Sequence, residues 1–155
     1  MYLFRCELIL LRTHWVLVVV DQFSRRIVGF GIQSGIVDGV ALCRIFNHAI
    51  ANQGVPVKLS TDNDPLFLFY RWRTNLRILD VEEIKTVPRV PLSHPFVERV
   101  IGTVCRELLD HVMFWNASDL ERKLGEFQRF YNEHRVHTSL NSTPAEKIEK
   151  SPPMA

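Results

Sequence analysis

The chain has 155 residues, of which 46% are hydrophobic and 23% are charged; this length and balance are typical of one globular domain and exclude a disordered or fibrous chain. The net charge of +2 neither requires nor excludes a nucleic-acid partner, because a weakly basic protein can carry a basic face. The three cysteines are far apart and lack CxxC spacing, which argues against a zinc site or a disulfide framework. The longest apolar run, WVLVVV, is far short of the roughly 20 residues of a membrane-spanning helix, and no secretory signal is visible. We therefore expect a cytoplasmic location and no membrane partner.

Apolar runs separated by short polar links open the chain and predict three β-strands near 3–11, 15–22 and 26–34. Links this short favour an antiparallel meander. The apolar period then lengthens to about four residues, which predicts an amphipathic helix over 37–53 that ends before Gly54. The segment VPVKLS predicts a fourth strand, PLFLFYRWRTNL a helix opened by Pro65, and VEEIKTVP a fifth strand.

The C-terminal part begins with a proline-rich loop, PRVPLSHP, and continues with two helices. The first is predicted over 94–112 with Ser93 as its N-cap. The second is predicted over 118–133, where Ser118 followed by Glu121 has the spacing of a capping box. Alternating strands and helices after an opening meander predict one α/β domain over 1–150 with a mixed sheet, followed by a disordered tail over 151–155.

Two carboxylates stand where they can meet across this sheet. Asp62 follows the predicted fourth strand, Glu98 lies in the first turns of a helix, and 35 residues stand between them. Carboxylates from separate elements form sites for hard divalent cations such as Mg²⁺, which prefer oxygen ligands. The alternative is a turn aspartate and a solvated helical glutamate.

Further passages favour the first interpretation. The segments VLVVVDQFSRRIVGF, TDN, HPFVERVIGTVCRELL and FYNEHRVHTSLNSTPAEKI occur in this order, and together they resemble the catalytic core of DDE integrases and insertion-sequence transposases over about residues 3–148. This resemblance implies a ribonuclease-H-like fold: a five-stranded mixed sheet with its first three strands antiparallel, flanked by helices. It also implies DNA integration by phosphodiester cleavage and strand transfer, with an Asp, Asp, Glu triad that holds two Mg²⁺ or Mn²⁺ ions.

By this resemblance Asp62 is the second carboxylate of the triad and Glu98 the third, both catalytic and metal-binding. The position of the first carboxylate is occupied by Tyr2, and a phenol with an unperturbed pKa near 10 is a poor ligand. Glu7 lies about 16 Å further along the strand at roughly 3.3 Å per residue, on the opposite face. Asp21 corresponds to a structural turn residue. We therefore expect a core that is truncated at its first strand and impaired in catalysis.

Residue 64 is also unusual, because Asp64 stands where the family usually has glycine. Its expected role is hydrogen bonding within the turn, and a turn that required positive φ would be strained by an aspartate.

Four arginines are candidates for contact with DNA. Arg71 and Arg73 alternate with aromatic residues in FYRWRTNLR, a pattern that fits either a nucleic-acid backbone or an amphipathic helix with Phe69 and Trp72 inward. Arg99 and Arg106 share the helix of Glu98, and Arg106 has Asp110 as an alternative partner at i+4. The expected partners are DNA, as element ends and target, and either a second copy or an intact transposase. Two alternatives remain: a ribonuclease-H-like nuclease, and a non-catalytic remnant that binds nucleic acid or transposase subunits.

Overall fold

The computed structural model describes residues 1–7, 13–62, 64–85 and 95–136. The expected N-cap at Ser93 and the expected tail over 151–155 lie outside the described residues. No helix in the described ranges has both the length and the apolar character to cross a lipid bilayer.

Three antiparallel strands form the first sheet, in the order β1, β2, β3. They span Tyr2–Glu7, Thr13–Val20 and Ile27–Ser34. The side chains of β2 alternate between two cores: Val16 and Val18 face one, and Leu17 faces the other. A strand covered on both faces reads as a continuous apolar run, which explains WVLVVV and confirms the predicted meander.

The second sheet pairs β4, Lys58–Thr61, with β5, Glu82–Lys85, in parallel. The N-terminal amino group of Met1, the residue before β1, donates to the carbonyl oxygen of Ser60 in β4 at 2.9 Å. The described strands pair as one three-stranded and one two-stranded ladder, so the five strands expected in one sheet divide into three and two. The bond from Met1 brings the two ladders together in a mixed arrangement that is compatible with a ribonuclease-H-like fold.

Helices cover both faces of this arrangement. The first core lies under α1 and α2 and includes Leu42, Phe46 and Trp72. The second lies under α3 and α4 and includes Val100 and Leu124. The helical segments are α1 over Gly39–Ile50, a 3₁₀ turn over Pro65–Leu68, α2 over Tyr70–Ile78, α3 over Pro95–Val104, a π turn over Cys105–Leu109 that continues α3, and α4 over Ala117–His134.

Two predicted helix starts are wrong. The helix expected from Pro65 begins only at Tyr70, because Phe69 is extended, with φ −59° and ψ 136°, and separates the 3₁₀ turn from α2. The last helix is capped by Asn116 instead of Ser118: the side chain of Asn116 accepts from the backbone nitrogen of Asp119 at 2.9 Å. The Asp119 carboxylate in turn accepts from the backbone nitrogen of Trp115, so the reciprocal cap forms two residues earlier than predicted.

Strand β3 is held closely by a helix on each side of its plane. A Cβ built on Gly29 would lie 2.0 Å from the carbonyl oxygen of Ala49, so α1 approaches β3 at a distance that only glycine permits. From α4, the side-chain amide of Asn132 both accepts from the Ile27 nitrogen, at 2.9 Å, and donates to the Ile27 oxygen, at 3.0 Å. Gln128 donates to the same oxygen and to that of Val28.

Candidate active site

Asp62 directly follows β4, and the last residue of this strand is held by hydrogen bonds to neighbouring elements. Thr61 is fully buried, and its hydroxyl donates to the Glu83 carboxylate of β5 at 3.0 Å. The indole nitrogen of the buried Trp72 donates to the same oxygen at 3.2 Å. Glu83 therefore ties the residue before Asp62 to both β5 and α2, and fixes where the strand ends. Sequence analysis did not identify Glu83, because nothing in VEEIK distinguishes it from a surface glutamate.

The turn after β4 is built by its own aspartates. The Asp62 carboxylate accepts from the backbone nitrogen of Asp64 at 3.4 Å. Asp64 in turn accepts from the backbone nitrogen of Leu66 at 2.9 Å and caps the 3₁₀ turn. This confirms the predicted role of Asp64 in turn hydrogen bonding. Its φ of −63° is ordinary for any residue, so the replacement of glycine at this position causes no strain.

Glu98 lies in the first turn of α3 and is exposed. The neighbouring Val97 and Val100 are buried in the core between α3 and the first sheet. Burial of these two valines sets which face of α3 points toward the sheet, because residues on opposite faces of a helix cannot both point inward. Glu98 is therefore presented to solvent on a well-packed helix.

Tyr2 lies near both carboxylates. It is partly buried near the start of β1, opposite Val18. Burial raises the pKa of the Tyr2 phenol, and the nearby carboxylates of Asp62, Glu98 and Asp64 raise it further. Asp62 and Glu98 thus act on the same hydroxyl, although they come from different elements. A phenol with a raised pKa is neutral at neutral pH, so Tyr2 brings no negative charge to this site.

Asp62 itself lies in a partly desolvated environment. Burial raises the pKa of its carboxyl group, and the charge of Asp64 raises it further, whereas the hydrogen bond from the Asp64 backbone nitrogen lowers it. The ionised form of Asp62 is therefore disfavoured in the folded protein unless a cation or a donor offsets the loss of solvation.

The donor set does not fit a site for two metal ions. Within the described ranges, no three His, Cys, Asp or Glu side chains lie close enough together to hold a metal ion. Glu7 is paired with Thr13 at the far end of β1. The Asp21 carboxylate accepts from the Ser24 hydroxyl at 2.6 Å and from the backbone nitrogens of Phe23 and Ser24, as expected for a structural turn residue. Neither supplies the third ligand.

The arginines of α2 lie on different sides of the helix. The Cβ of Arg71 lies 3.4 Å from the point where a Cβ on Gly39 of α1 would stand, whereas Arg73 lines an open pocket of about 480 Å³ beside β5. Trp72, between them, is fully buried, as predicted for the inward face of the helix. Phe69, which was expected to face inward as well, is 39% exposed. Arg71 and Arg73 do not form one continuous surface.

Arg106 lies against its own helix. Its Nη1 atom is 3.3 Å from the point where a Cβ on Gly102 would stand. The alternative pairing with Asp110 does not occur in the described residues, and the neighbouring Glu107 instead binds Arg135 through both oxygens, at 2.7 and 3.0 Å. Arg99 is exposed on the same helix.

Comparison with known proteins gives concordant matches. Residues 79–144 match a family model described as an integrase core domain. The chain is 27% identical over 128 residues to an uncharacterized 39.2 kDa protein of insertion element IS476 from Xanthomonas euvesicatoria, which covers 83% of this chain and 37% of the relative. It is 22% identical over 140 residues to the transposase of insertion sequence element IS904 from Lactococcus lactis subsp. lactis (strain IL1403), which covers 89% of this chain and 55% of that protein. The chain thus spans less than two thirds of the length of either relative.

A solved structure supports the fold. The HTLV-2 integrase catalytic core domain, in complex with magnesium and in a trimeric form, superposes with a TM-score of 0.69 and 19% sequence identity. The match covers 94% of this chain and 90% of the viral domain. At this identity the likeness bears on the fold alone.

Proposed function

Since the chain carries a core of the DDE integrase and transposase type, we propose that it derives from DNA-integration machinery and that its own catalytic step is impaired. The observation that carries the proposal is the position of Tyr2. Its phenol lies in the combined field of Asp62 and Glu98, where the resemblance places a third carboxylate. Residues 1–150 act as one core domain in this proposal.

The chemistry of the three side chains accounts for the impairment. Asp62 and Glu98 would hold a divalent cation such as Mg²⁺ or Mn²⁺, which neutralises charge at a phosphodiester when it is bound. Tyr2 contributes no negative charge toward that cation, because its pKa is raised.

DNA is the proposed substrate, and we propose that this domain contacts the phosphate backbone of the DNA. Arg99 and Arg106 lie on the helix of Glu98 and are both exposed. Arginines that contact phosphates position a duplex without reading its sequence. We expect weak, non-specific binding that falls steeply with salt, and a tight, sequence-selective complex at high salt would contradict it.

Substitution of Tyr2 by aspartate tests the proposal. Tyr2→Asp supplies the missing carboxylate, so we expect tighter binding of Mn²⁺ by calorimetry and a gain of at least about tenfold in metal-dependent nicking or strand transfer, the effect of roughly 1.4 kcal/mol. Tyr2→Phe is the matched control: it removes the hydroxyl without adding a ligand, and it should gain no turnover. Robust metal-dependent turnover by the unaltered chain would overturn the proposed impairment.

A non-catalytic role is the second candidate, and the incomplete donor set favours it over a nuclease. In this role the core associates with subunits of an intact transposase. Co-expression with the full-length IS904 transposase, followed by affinity purification and size-exclusion chromatography, would test for a stable complex. A nuclease would instead release cleaved DNA without joined products.

A further inference from the structure

The turn between β2 and β3 holds an arginine in a strained backbone conformation. Arg25 has a φ of 64°, in the left-handed region where the Cβ of any residue other than glycine crowds its own backbone. Such a conformation persists only where the surrounding structure enforces it, and it occurs most often at functional sites. In the part of the chain that the structure describes, the only other non-glycine residue with a positive φ is Asp80, at 56°.

Hydrogen bonds on both sides of Arg25 enforce this conformation. The Asp21 carboxylate accepts from the Ser24 hydroxyl at 2.6 Å, and the Ser24 hydroxyl oxygen accepts from the backbone nitrogen of Arg26 at 3.4 Å. The backbone nitrogen of Asp21 donates to the Arg26 oxygen at 2.9 Å, which closes the turn. Ser24 is buried. The turn therefore fixes the direction in which the side chain of Arg25 leaves the backbone.

The side chain of Arg25 reaches the start of α3. Its Cζ atom lies 4.5 Å from the centre of the Phe96 ring, within the distance at which a guanidinium group and an aromatic face attract each other. Phe96 is the second residue of α3, and it packs against the core under α3 and α4. Arg25 and Phe96 are both partly buried, so water weakens their attraction less than it would at an exposed site.

This contact lies in the same helical turn as Glu98. Phe96 and Glu98 are two residues apart, so their side chains leave different sides of the helix. Val97 and Val100 are buried, but the first turn of a helix frays easily because its N–H groups lack partners within the helix. A second contact at Phe96 therefore restrains the turn that presents Glu98 without touching Glu98 itself.

We propose that Arg25 is a positioning residue that clamps the first turn of α3 through Phe96 and so fixes where Glu98 stands. The strained backbone at Arg25 directs its side chain at the helix. This inference rests on the proposed function, because it takes Glu98 as part of the active site of the core. Arg25 acts here on the protein's own helix and not on DNA.

Native-state hydrogen exchange followed by NMR tests the clamp, because it detects the opening of single turns without catalysis. Arg25→Met removes the charge but keeps the side-chain stem and the strained backbone. We expect it to speed exchange about fivefold at residues 99–102, the first amides that bond within α3, as for the loss of a cation–π contact. Exchange in the rest of both cores should not change. Arg25→Lys retains a cation and should retain part of the protection.

Two further variants separate the clamp from general packing. Phe96→Leu removes the ring but keeps an apolar side chain. Adding Arg25→Met to Phe96→Leu should speed exchange no further, because both changes remove the same contact. Arg25→Gly removes the clamp together with the strain, so it should speed exchange at residues 99–102 without lowering the free energy of unfolding in urea. Asp80→Gly, the matched control, relieves the same kind of strain at the end of α2 and should leave exchange in α3 unchanged.

The inference is overturned if Arg25→Met leaves exchange at residues 99–102 unchanged, if the faster exchange spreads evenly through both cores, or if the effects of Arg25→Met and Phe96→Leu add. Failure of the proposed function gives a different result. If Tyr2→Asp gains no metal-dependent activity while Arg25→Met still loosens the first turn of α3, the account of the impaired site falls and the clamp remains. If Tyr2→Asp is active, Arg25→Met in that background should lower turnover at saturating DNA about tenfold, as for a displaced catalytic group, and unchanged turnover would overturn the positioning role.

Discussion

At the residue scale, the carboxyl group of Asp62 is held where its charge opposes folding. Burial raises its pKa above the ordinary value of 3.8, so the folded state binds a proton there more readily than the unfolded chain does. Stability therefore falls as the pH rises through the window that starts near 3.8 and ends at the raised folded value. Above that window, ionised Asp62 costs free energy of folding. Ionisable side chains with such shifted pKa values are common at functional sites, where they lower the stability of the folded protein.

We predict that Asp62→Asn raises the melting temperature at pH 7, and that the gain disappears at a pH below 3.8, where aspartate is itself neutral. The amide oxygen of asparagine still accepts from the backbone nitrogen of Asp64. Thermal unfolding followed by circular dichroism across pH 3 to 8 measures the effect. Asp110→Asn, at an exposed position with an ordinary φ of −75°, serves as the control. A lower melting temperature for Asp62→Asn at neutral pH would contradict the assigned environment.

The sequence could predict the turn of Asp64 but not the role of Glu83. A turn aspartate has local hydrogen bonds that its neighbours predict. Glu83 instead accepts from Thr61 and Trp72, two residues that only the fold brings beside it, so no local pattern marks it.

At the element scale, the packing of α1 on β3 depends on two glycines. A Cβ on Gly29 would meet the Ala49 oxygen at 2.0 Å, and one on Gly31 would meet the Ile45 oxygen at 2.2 Å. Both contacts are with backbone atoms, which cannot rotate away. The helix must therefore move as a whole if either glycine gains a side chain.

We predict that Gly29→Ala destabilises the protein by about 3 kcal/mol, at the upper end of the range for overpacked cores. Gly125→Ala in α4 is the matched control, because open space surrounds it; it should stabilise by up to about 1 kcal/mol through helix propensity. Urea denaturation of both variants gives the free energies of unfolding. Equal stability of Gly29→Ala and the unaltered chain would mean that α1 and β3 lie further apart than described.

The sequence predicted which helices and strands are present more accurately than it predicted where they begin and end. The five strands and the amphipathic helices follow from apolar periodicity, which reflects burial directly. Helix starts depend instead on which of several nearby polar residues caps the first turn. Asn116 and Ser118 are both good caps, and only the second bond, from Trp115 to Asp119, selects Asn116.

At the scale of the whole molecule, two hydrophobic cores share the central strand β2. Its valines and leucine pack alternately under α1 and α2 on one face and under α3 and α4 on the other. The same strand thus belongs to both cores. Loss of order in either core exposes one face of β2, so we expect the described layers to unfold together.

Substitution of one isoleucine in each core tests this coupling. Ile45→Val lies in the core under α1, and Ile27→Val lies in the core under α4. Each should cost about 0.5–1.5 kcal/mol, and the double variant should show the sum, because the two sites share no contact. Tryptophan fluorescence and far-ultraviolet circular dichroism should give one coincident urea transition for every variant. Two separate transitions would show that the cores are independent units.

The amide of Asn132 has a consequence for how copies of this protein meet. By pairing with both main-chain polar groups of Ile27, it occupies the rim of the outer strand in the way a further strand would. Another chain therefore cannot pair with the main chain of Ile27 unless Asn132 moves away. One side chain thus protects the beginning of β3 against edge-to-edge pairing between copies.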